Sequence, residues 1–149
     1  MDAAGYLAVD GANVSSNSGA GIVAGGSAVV TNSTLSGNTS YAISVASGGS
    51  IALSGSQLTN NQGGVELNGT GGNANLGTAS NPGNNTIQNP SSASGLVVRW
   101  ASGTVQAVGN TWVPSVQGAD ASGHYTSQLL SGPESGQNFT FGAGVDLQL

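Results

Sequence analysis

The sequence predicts an all-β fold, a right-handed single-stranded parallel β-helix (β-solenoid) of about five to six coils with a C-terminal cap. The first observation is that short runs of alternating apolar and polar residues recur about every 21–23 residues, a period typical of repeat architectures. The second is that Gly, Asn and Ser separate these runs, as tight turns require. Because each run is too short to form a stable sheet alone, we expect successive coils to stack and pair them.

An apolar residue followed three positions later by Asn gives the clearest repeat. It occurs in three copies, 21 and 23 residues apart: Val14 with Asn17, Leu35 with Asn38, and Leu58 with Asn61. Shortened and degenerate copies follow at Ile87 and Trp112. Stacked coils then predict an inward apolar ladder of Val14, Leu35, Leu58, Ile87 and Trp112. They also predict a ladder of hydrogen-bonded amides at Asn17, Asn38 and Asn61, and Asn tolerates the left-handed backbone of sharp corners.

Two further sets of apolar residues follow the same period and predict two more inward ladders. One contains Ile22, Ile43, Val65 and Leu96, and the other contains Val30, Leu53 and Ala107. Each coil therefore holds three short strands, and the stacked strands form three sheets around one apolar interior.

The period is kept over residues 1–113, which we assign to the coils, with an irregular Gly- and Asn-rich loop at 69–83. Loops on the flank of a solenoid are where binding is usually built. Residues 114–149 lose the repeat and then alternate again at 138–141 and 145–149, so we assign them to a C-terminal loop and capping strands. A cap is expected because an open coil end exposes unpaired backbone groups. The first coil shows no such cap, and we expect its edge to be open to self-association.

The segment Gly21-Ile-Val-Ala, continued by Val30-Thr-Asn-Ser-Thr-Leu35-Ser-Gly-Asn38, resembles the right-handed parallel β-helix repeat of pectate-lyase-like proteins. Residues 75–125 resemble the last coils of bacterial secreted β-helix proteins of the DUF1565 type, through Asn-Pro-Gly-Asn-Asn-Thr-Ile and Val-Gly-Asn-Thr-Trp. The resemblance implies the fold and covers most of the chain. It implies no single activity, because one fold hosts many functions.

Composition excludes several function classes. With one Arg, no Lys and a net charge of −5, the chain cannot neutralise a run of phosphates, which argues against nucleic acid and anionic membranes as partners. There is no Cys for disulfides or redox sites, and no apolar stretch approaches 18 residues, so no membrane insertion is expected. The near-absence of basic residues, with many small polar ones, is typical of a secreted or cell-surface protein of bacteria or viruses.

Few residues carry reactive groups. Glu66 is the single acid on the central coils, whereas a glycosidase needs two carboxylates and a calcium site usually needs more than one. We therefore expect no metal and no cofactor. Asp120 and His124, near Ser122, form the best remaining acid–base pair, although no nucleophile motif accompanies them. Whether the chain is an enzyme stays open at this point, with the balance against it.

Arg99 and Trp100 are the candidate ligand-binding residues. In stacked coils Glu66 lies near Val97, so Arg99 and Glu66 are expected to form an ion pair between neighbouring coils. A Trp ring beside Arg is suited to stack on a sugar, and the alternative is that Trp100 covers the end of the core.

The function that follows is a non-catalytic extracellular module, a structural scaffold or adhesion element whose surface contacts glycan or a second copy. One alternative is the C-terminal fragment of a polysaccharide lyase or glycoside hydrolase whose catalytic coils lie upstream. Another is an ice-binding β-solenoid, which needs a regular outward Thr array. Thr is enriched beside the first ladder, at Thr34, Thr59, Thr86 and Thr111, but is not regular.

Overall fold

The computed structural model describes residues 1–69, 71, 73–88, 95–100, 102–113, 124–125, 139–141 and 145–148. Their regular structure is entirely β-strand, in three sheets that we name A, B and C. Within these ranges there is no helix of the length and apolarity that crossing a membrane requires. The prediction of an all-β parallel solenoid is confirmed.

Successive strands along the chain visit the three sheets in turn. Sheet A contains β1 (Asp2–Ala3), β4 (Ile22–Ala24), β7 (Tyr41–Val45), β10 (Gly63–Leu67), β13 (Leu96–Val98) and β17 (Phe139–Phe141). Sheet B contains β2 (Leu7–Asp10), β5 (Ser27–Thr31), β8 (Ser50–Ser54), β11 (Asn73–Asn75), β14 (Gly103–Gln106), β18 (Val145–Gln148) and β16 (His124–Tyr125). Sheet C contains β3 (Asn13–Ser15), β6 (Thr34–Ser36), β9 (Gln57–Thr59), β12 (Thr86–Gln88) and β15 (Thr111–Val113). Every pairing is parallel except that of β16 with β18.

The register places equivalent residues of successive coils opposite one another. In sheet C the paired residues are Val14, Leu35, Leu58, Ile87 and Trp112. In sheet A they are Ile22, Ile43, Val65 and Leu96. All nine are buried in one core, so both ladders lie where the repeat spacing predicts.

The ladder of sheet B is longer than predicted. Val9 pairs with Val30, and Val30 pairs with Leu53. Leu76 and Ala107 directly follow the paired ends of β11 and β14, and both are fully buried. Val9 and Leu76 were not among the residues predicted for this ladder.

The solenoid makes about four turns. This is slightly fewer than the five to six coils expected.

The turn from sheet C to sheet A contains a ladder of amides, the Asn corner, formed by the exposed Asn17 and the buried Asn38 and Asn61. Asn17 Nδ2 donates to Asn38 Oδ1 at 2.8 Å, and Asn38 Nδ2 donates to Asn61 Oδ1 at 2.7 Å. The same oxygens accept the backbone N–H groups of Asn17 and Asn38, both at 3.1 Å. Asn38 and Asn61 are 2% and 0% exposed, so the ladder satisfies polar groups that water does not reach.

The turn from sheet B to sheet C contains a second ladder, which the sequence analysis did not identify. We name it the mixed corner; its members are Ser33, Ser56, Asn85 and Asn110. Ser33 N donates to Ser56 Oγ at 3.1 Å, Ser56 N to Asn85 Oδ1 at 2.9 Å, and Asn85 N to Asn110 Oδ1 at 3.1 Å. Each of the four lies two residues before a member of the sheet C apolar ladder.

The left-handed backbone lies one residue before each ladder residue, and this corrects the sequence expectation. Asn17, Asn38 and Asn61 do not have positive φ. The residues that do are Ser16, Gly37 and Asn60, with φ of 57°, 64° and 57°. The chain turns at these exposed residues, and the following Asn points its amide inward.

The C-terminal strands extend two of the sheets. β17 continues sheet A and β18 continues sheet B, while β16 pairs antiparallel with β18 at the edge of sheet B. The assignment of 114–149 to a loop and cap stays a prediction, because most of that segment lies outside the described residues.

Candidate functional site

A set of interacting polar side chains lies on the outer face of sheet A. The register stacks Val23, Ser44, Glu66 and Val97 in one outward row. Tyr41, Ser44, Glu66, Asn68 and Arg99 form a connected group there, which we name the Glu66 cluster. Four successive coils contribute to the row, so the repeat itself positions the cluster.

Glu66 is the centre of this cluster. Arg99 Nε donates to Glu66 Oε1 at 3.0 Å, which is the ion pair expected from the sequence. Ser44 Oγ and Asn68 Nδ2 each donate to Glu66 Oε2 at 2.9 Å. Both carboxylate oxygens are therefore engaged. The Glu66 side chain is 14% exposed whereas that of Arg99 is 56% exposed, so the guanidinium is the accessible part of the pair.

The electrostatics of the cluster favour the charged forms. Burial acts to raise the pKa of Glu66, but the hydrogen bonds from Asn68, Ser44 and Arg99 and the Arg99 charge outweigh it, and the pKa is lowered. The pKa of Arg99 is raised, first by its hydrogen bond and charge interaction with Glu66 and then by Tyr41. A carboxylate held in this way is a poor general acid or base near neutral pH.

The aromatic residue beside Arg99 on the outer face is Tyr41, whereas Trp100 lies inside. Trp100 is 4% exposed and packs in the core, so the expectation that its ring stacks on a sugar is wrong. It belongs to the same core cluster as Leu96 and Val98, two and four residues earlier in the chain. The Tyr41 ring packs against Gly63 of the next coil, where a Cβ atom would overlap it.

The described residues bring neither a second carboxylate to Glu66 nor a set of metal ligands together. Glu66 has no second carboxylate in its cluster. Over the described ranges no group of three or more His, Cys, Asp and Glu residues lies close enough to hold a metal ion. Asp120 and Ser122 lie outside those ranges, and His124 is placed only as a residue of β16, opposite Gln148.

The outer face of sheet C is uncharged but does not carry a regular Thr array. Along one outward row the register places Asn13, Thr34, Gln57, Thr86 and Thr111 in succession. The parallel row contains Ser15, Ser36, Thr59, Gln88 and Val113. Gln57 interrupts the hydroxyl groups of the first row, and those of the second row end at Thr59.

Comparison with known proteins finds no matching family model, no matching curated protein and no matching solved structure. The parallel β-solenoid thus stands on the structure of this chain alone.

Proposed function

We propose that the chain is a non-catalytic extracellular β-solenoid module, a rigid scaffold or adhesion element whose outer surface contacts glycan or a second copy. The observation that carries the proposal is the pair of buried corner ladders, which join consecutive coils through side chains as well as backbone. A rod fixed in this way holds its outer side chains at constant spacing, which a scaffold needs. The poverty of basic residues supports an extracellular location on a bacterial or viral surface.

The relationship to pectate-lyase-like and DUF1565-type secreted proteins is also part of the proposal. The coil period and the repeat segment that ends in Leu35-Ser-Gly-Asn38 support it. No catalytic role is taken over from those proteins, because the Glu66 cluster offers a single, fully hydrogen-bonded carboxylate.

Glycan contact is supported by the chemistry of the Glu66 cluster. It presents an exposed guanidinium, a partly exposed tyrosine ring, an amide and a hydroxyl on one flat face. Sugars offer hydroxyl groups to such donors and acceptors and apolar ring faces to aromatic side chains. Because Glu66 neutralises Arg99, the cluster favours neutral sugars over strongly acidic ones.

Contact with a second copy is supported by the first coil. β1, β2 and β3 are the end strands of their sheets, and each leaves one edge of backbone N–H and C=O groups unpaired in the described chain. Such edges pair with further strands. Light scattering over a range of protein concentrations tests this, and a clean monomer at high concentration would count against it.

A glycan panel tests the glycan part. We expect binding to neutral polysaccharides that Arg99→Gln weakens and Ser15→Ala, on the outer face of sheet C, leaves unchanged. The same samples are assayed for new reducing ends and unsaturated products. Turnover that is lost in Glu66→Gln would replace the proposal with a polysaccharide-degrading function, and thermal hysteresis would replace it with ice binding.

A further inference from the structure

The segment 69–83, expected to be an irregular loop, contains strand β11 of sheet B, and the loop that follows this strand builds a small cavity on the outer face of the sheet. The cavity is about 70 Å³ and lies between that face and the tip of the loop. Val29 and Ala52 of adjacent strands form its floor, and Thr31, Ser54, Asn75 and Asn81 surround it. None of its lining residues is ionisable, and the nearest charge that the hydrogen bonds show is the Asp10 carboxylate, which accepts from Thr31.

Hydrogen bonds hold the loop in place over the sheet. Val108 N donates to Gly77 O at 3.0 Å and Gly83 N donates to Val108 O at 2.9 Å, which fixes both ends of the loop to the next coil. A Cβ atom at Gly77 or Gly83 would overlap backbone, so glycine is required where the two ends meet. Across the tip, Thr78 N donates to Asn81 O at 2.9 Å. The wall of the cavity is therefore a fixed turn.

The size of the cavity limits what enters it. A cavity of roughly 150 Å³ accepts benzene, and a water molecule takes up about 30 Å³ in the liquid. A volume of about 70 Å³ therefore holds three or four non-hydrogen atoms, a substituent rather than a whole ring. The rest of a ligand would lie on the open face of sheet B.

The lining has an apolar floor and a polar rim, and the rim contains an oriented donor. Asn75 Oδ1 accepts the N–H of Gly77 at 2.9 Å, which turns the amide so that its Nδ2 hydrogens point away from that turn. Within the described residues Asn75 Nδ2 has no protein acceptor. Ser54 and Thr31 supply hydroxyl oxygens, of which Thr31 Oγ1 donates to Asp10 Oδ1 at 2.7 Å and keeps its lone pairs for another donor.

We propose that this cavity binds the acetamido group of an N-acetylated sugar. The methyl group fits the floor of Val29 and Ala52, the carbonyl oxygen accepts from Asn75 Nδ2, and the amide N–H donates to a hydroxyl oxygen of Ser54 or Thr31. A sugar hydroxyl would leave the apolar floor without a partner, so a bare hexose is a poorer occupant. The inference rests on the proposed glycan contact and gives it a substrate class.

The test compares two β-1,4-linked oligosaccharides that differ in this group, chitotetraose and cellotetraose, by calorimetry on the intact chain. We expect chitotetraose to bind at least tenfold more tightly. Asn75→Asp keeps the acceptor for Gly77 N–H but removes the Nδ2 donors, and it should weaken chitotetraose binding by about tenfold, the effect of one hydrogen bond. Ala52→Val, which fills the floor, should do the same.

The matched control is Gln106→Glu. Gln106 pairs with Asn75 in the same outward row of sheet B but does not line the cavity, so the variant makes the same amide-to-carboxylate change one coil away. It should retain wild-type binding, and circular dichroism should show that all variants keep the β-fold. Equal losses in Asn75→Asp and Gln106→Glu, or no loss in either, would overturn the site.

Failure of this inference is separable from failure of the proposed function. Equal binding of both oligosaccharides would overturn the acetamido site while leaving glycan contact standing. Binding of neither would overturn the acetamido site as well. In that case the wider glycan panel and the Arg99→Gln variant decide whether the chain contacts glycan at all.

Discussion

The Asn corner and the mixed corner both join neighbouring coils through side-chain hydrogen bonds, but they use different side chains. At the Asn corner, Asn38 donates back to Val14 O in the preceding coil at 3.2 Å and forward to Asn61 Oδ1 at 2.7 Å, so one amide joins three coils. At the mixed corner, Ser33 Oγ accepts from Ala12 N in the preceding coil but donates to Thr31 O in its own coil, at 2.7 Å. Ser33 therefore donates its single hydroxyl hydrogen within its own coil, whereas Asn38 donates both amide hydrogens to other coils.

The mixed corner changes from Ser to Asn where the loop at 69–83 lengthens the coil. Asn85 donates to Leu53 O of the preceding coil at 3.0 Å and to Asn110 Oδ1 of the next at 2.8 Å. Asn110 in turn donates to Leu76 O at 2.9 Å. The longer side chain thus keeps the coils joined across the irregular segment. The comparison predicts that ladder amides contribute more stability than ladder hydroxyls.

The largest effect is expected for Asn61→Ala. The change leaves the N–H and Nδ2 groups of Asn38 without their acceptor and Leu35 O without its donor, all of them buried. We expect the free energy of unfolding to fall by about 3 kcal/mol, measured by urea denaturation. Gln62→Ala, at the exposed next residue, should change it by less than about 0.5 kcal/mol. Similar values for the two variants would show that the Asn corner adds no stability.

Converting one ladder chemistry into the other should have an intermediate effect. In Asn85→Ser the hydroxyl oxygen still accepts from Ser56 N, but Leu53 O loses its donor. We expect a loss of about 2 kcal/mol in the free energy of unfolding, again by urea denaturation. Asn84→Gly, at the preceding left-handed residue, should stay within about 0.5 kcal/mol of the wild type. No measurable loss in Asn85→Ser would contradict the prediction that ladder amides contribute more stability than ladder hydroxyls.

Backbone conformation at the corners gives a smaller effect. Gly37 has a φ of 64°, and the nearest atom to an added Cβ is Ser16 Oγ at 3.7 Å, so Gly37→Ala introduces backbone strain without a clash. We expect a cost of about 1 kcal/mol. Ser16→Gly, at the equivalent residue one coil earlier, should not lower thermal stability. Equal melting temperatures for the wild type and Gly37→Ala would contradict the role assigned to these left-handed residues.

The smallest effect is expected outside the corners, at the Glu66 cluster, where the inter-coil bonds are partly exposed. Because the folded state lowers the pKa of Glu66, the carboxylate stabilises the fold above its unfolded pKa, about 4.5, and the contribution is lost as pH falls through the folded value. The free energy of unfolding of the wild type should exceed that of Glu66→Gln by about 0.5 kcal/mol at neutral pH, and by less at acid pH. If this difference in stability grew as pH fell, it would contradict the lowered pKa of Glu66 in the folded state.

The sequence predicts the register because strands have a two-residue period and the three-copy pattern ending in Asn17, Asn38 and Asn61 fixes the coil length. The mixed corner is not predicted by the repeat because its residue type changes from Ser to Asn. Its residues nevertheless always lie two positions before a residue of the sheet C apolar ladder.

The outer surface is harder to predict than the core. Alternation from Leu96 and Val98 already indicates that Trp100 points inward. The contact between Tyr41 and Arg99 has no such signal, because it depends on the Tyr41 ring crossing Gly63 to reach a residue two coils away. The cavity under the loop likewise depends on the backbone hydrogen bonds that Gly77 and Gly83 make with Val108, and the repeat pattern of the sequence gives no signal for these bonds.

Parallel pairing between coils also sets how the molecule responds to force. The hydrogen bonds between strands run along the stacking direction, so tension along that direction acts on every coil boundary in series and pulls its hydrogen bonds lengthwise. Tension across it loads the bonds of a whole sheet together. Under axial pull such a solenoid therefore separates first at its weakest coil boundary, whereas shear along the strands is opposed by all the hydrogen bonds of a boundary together.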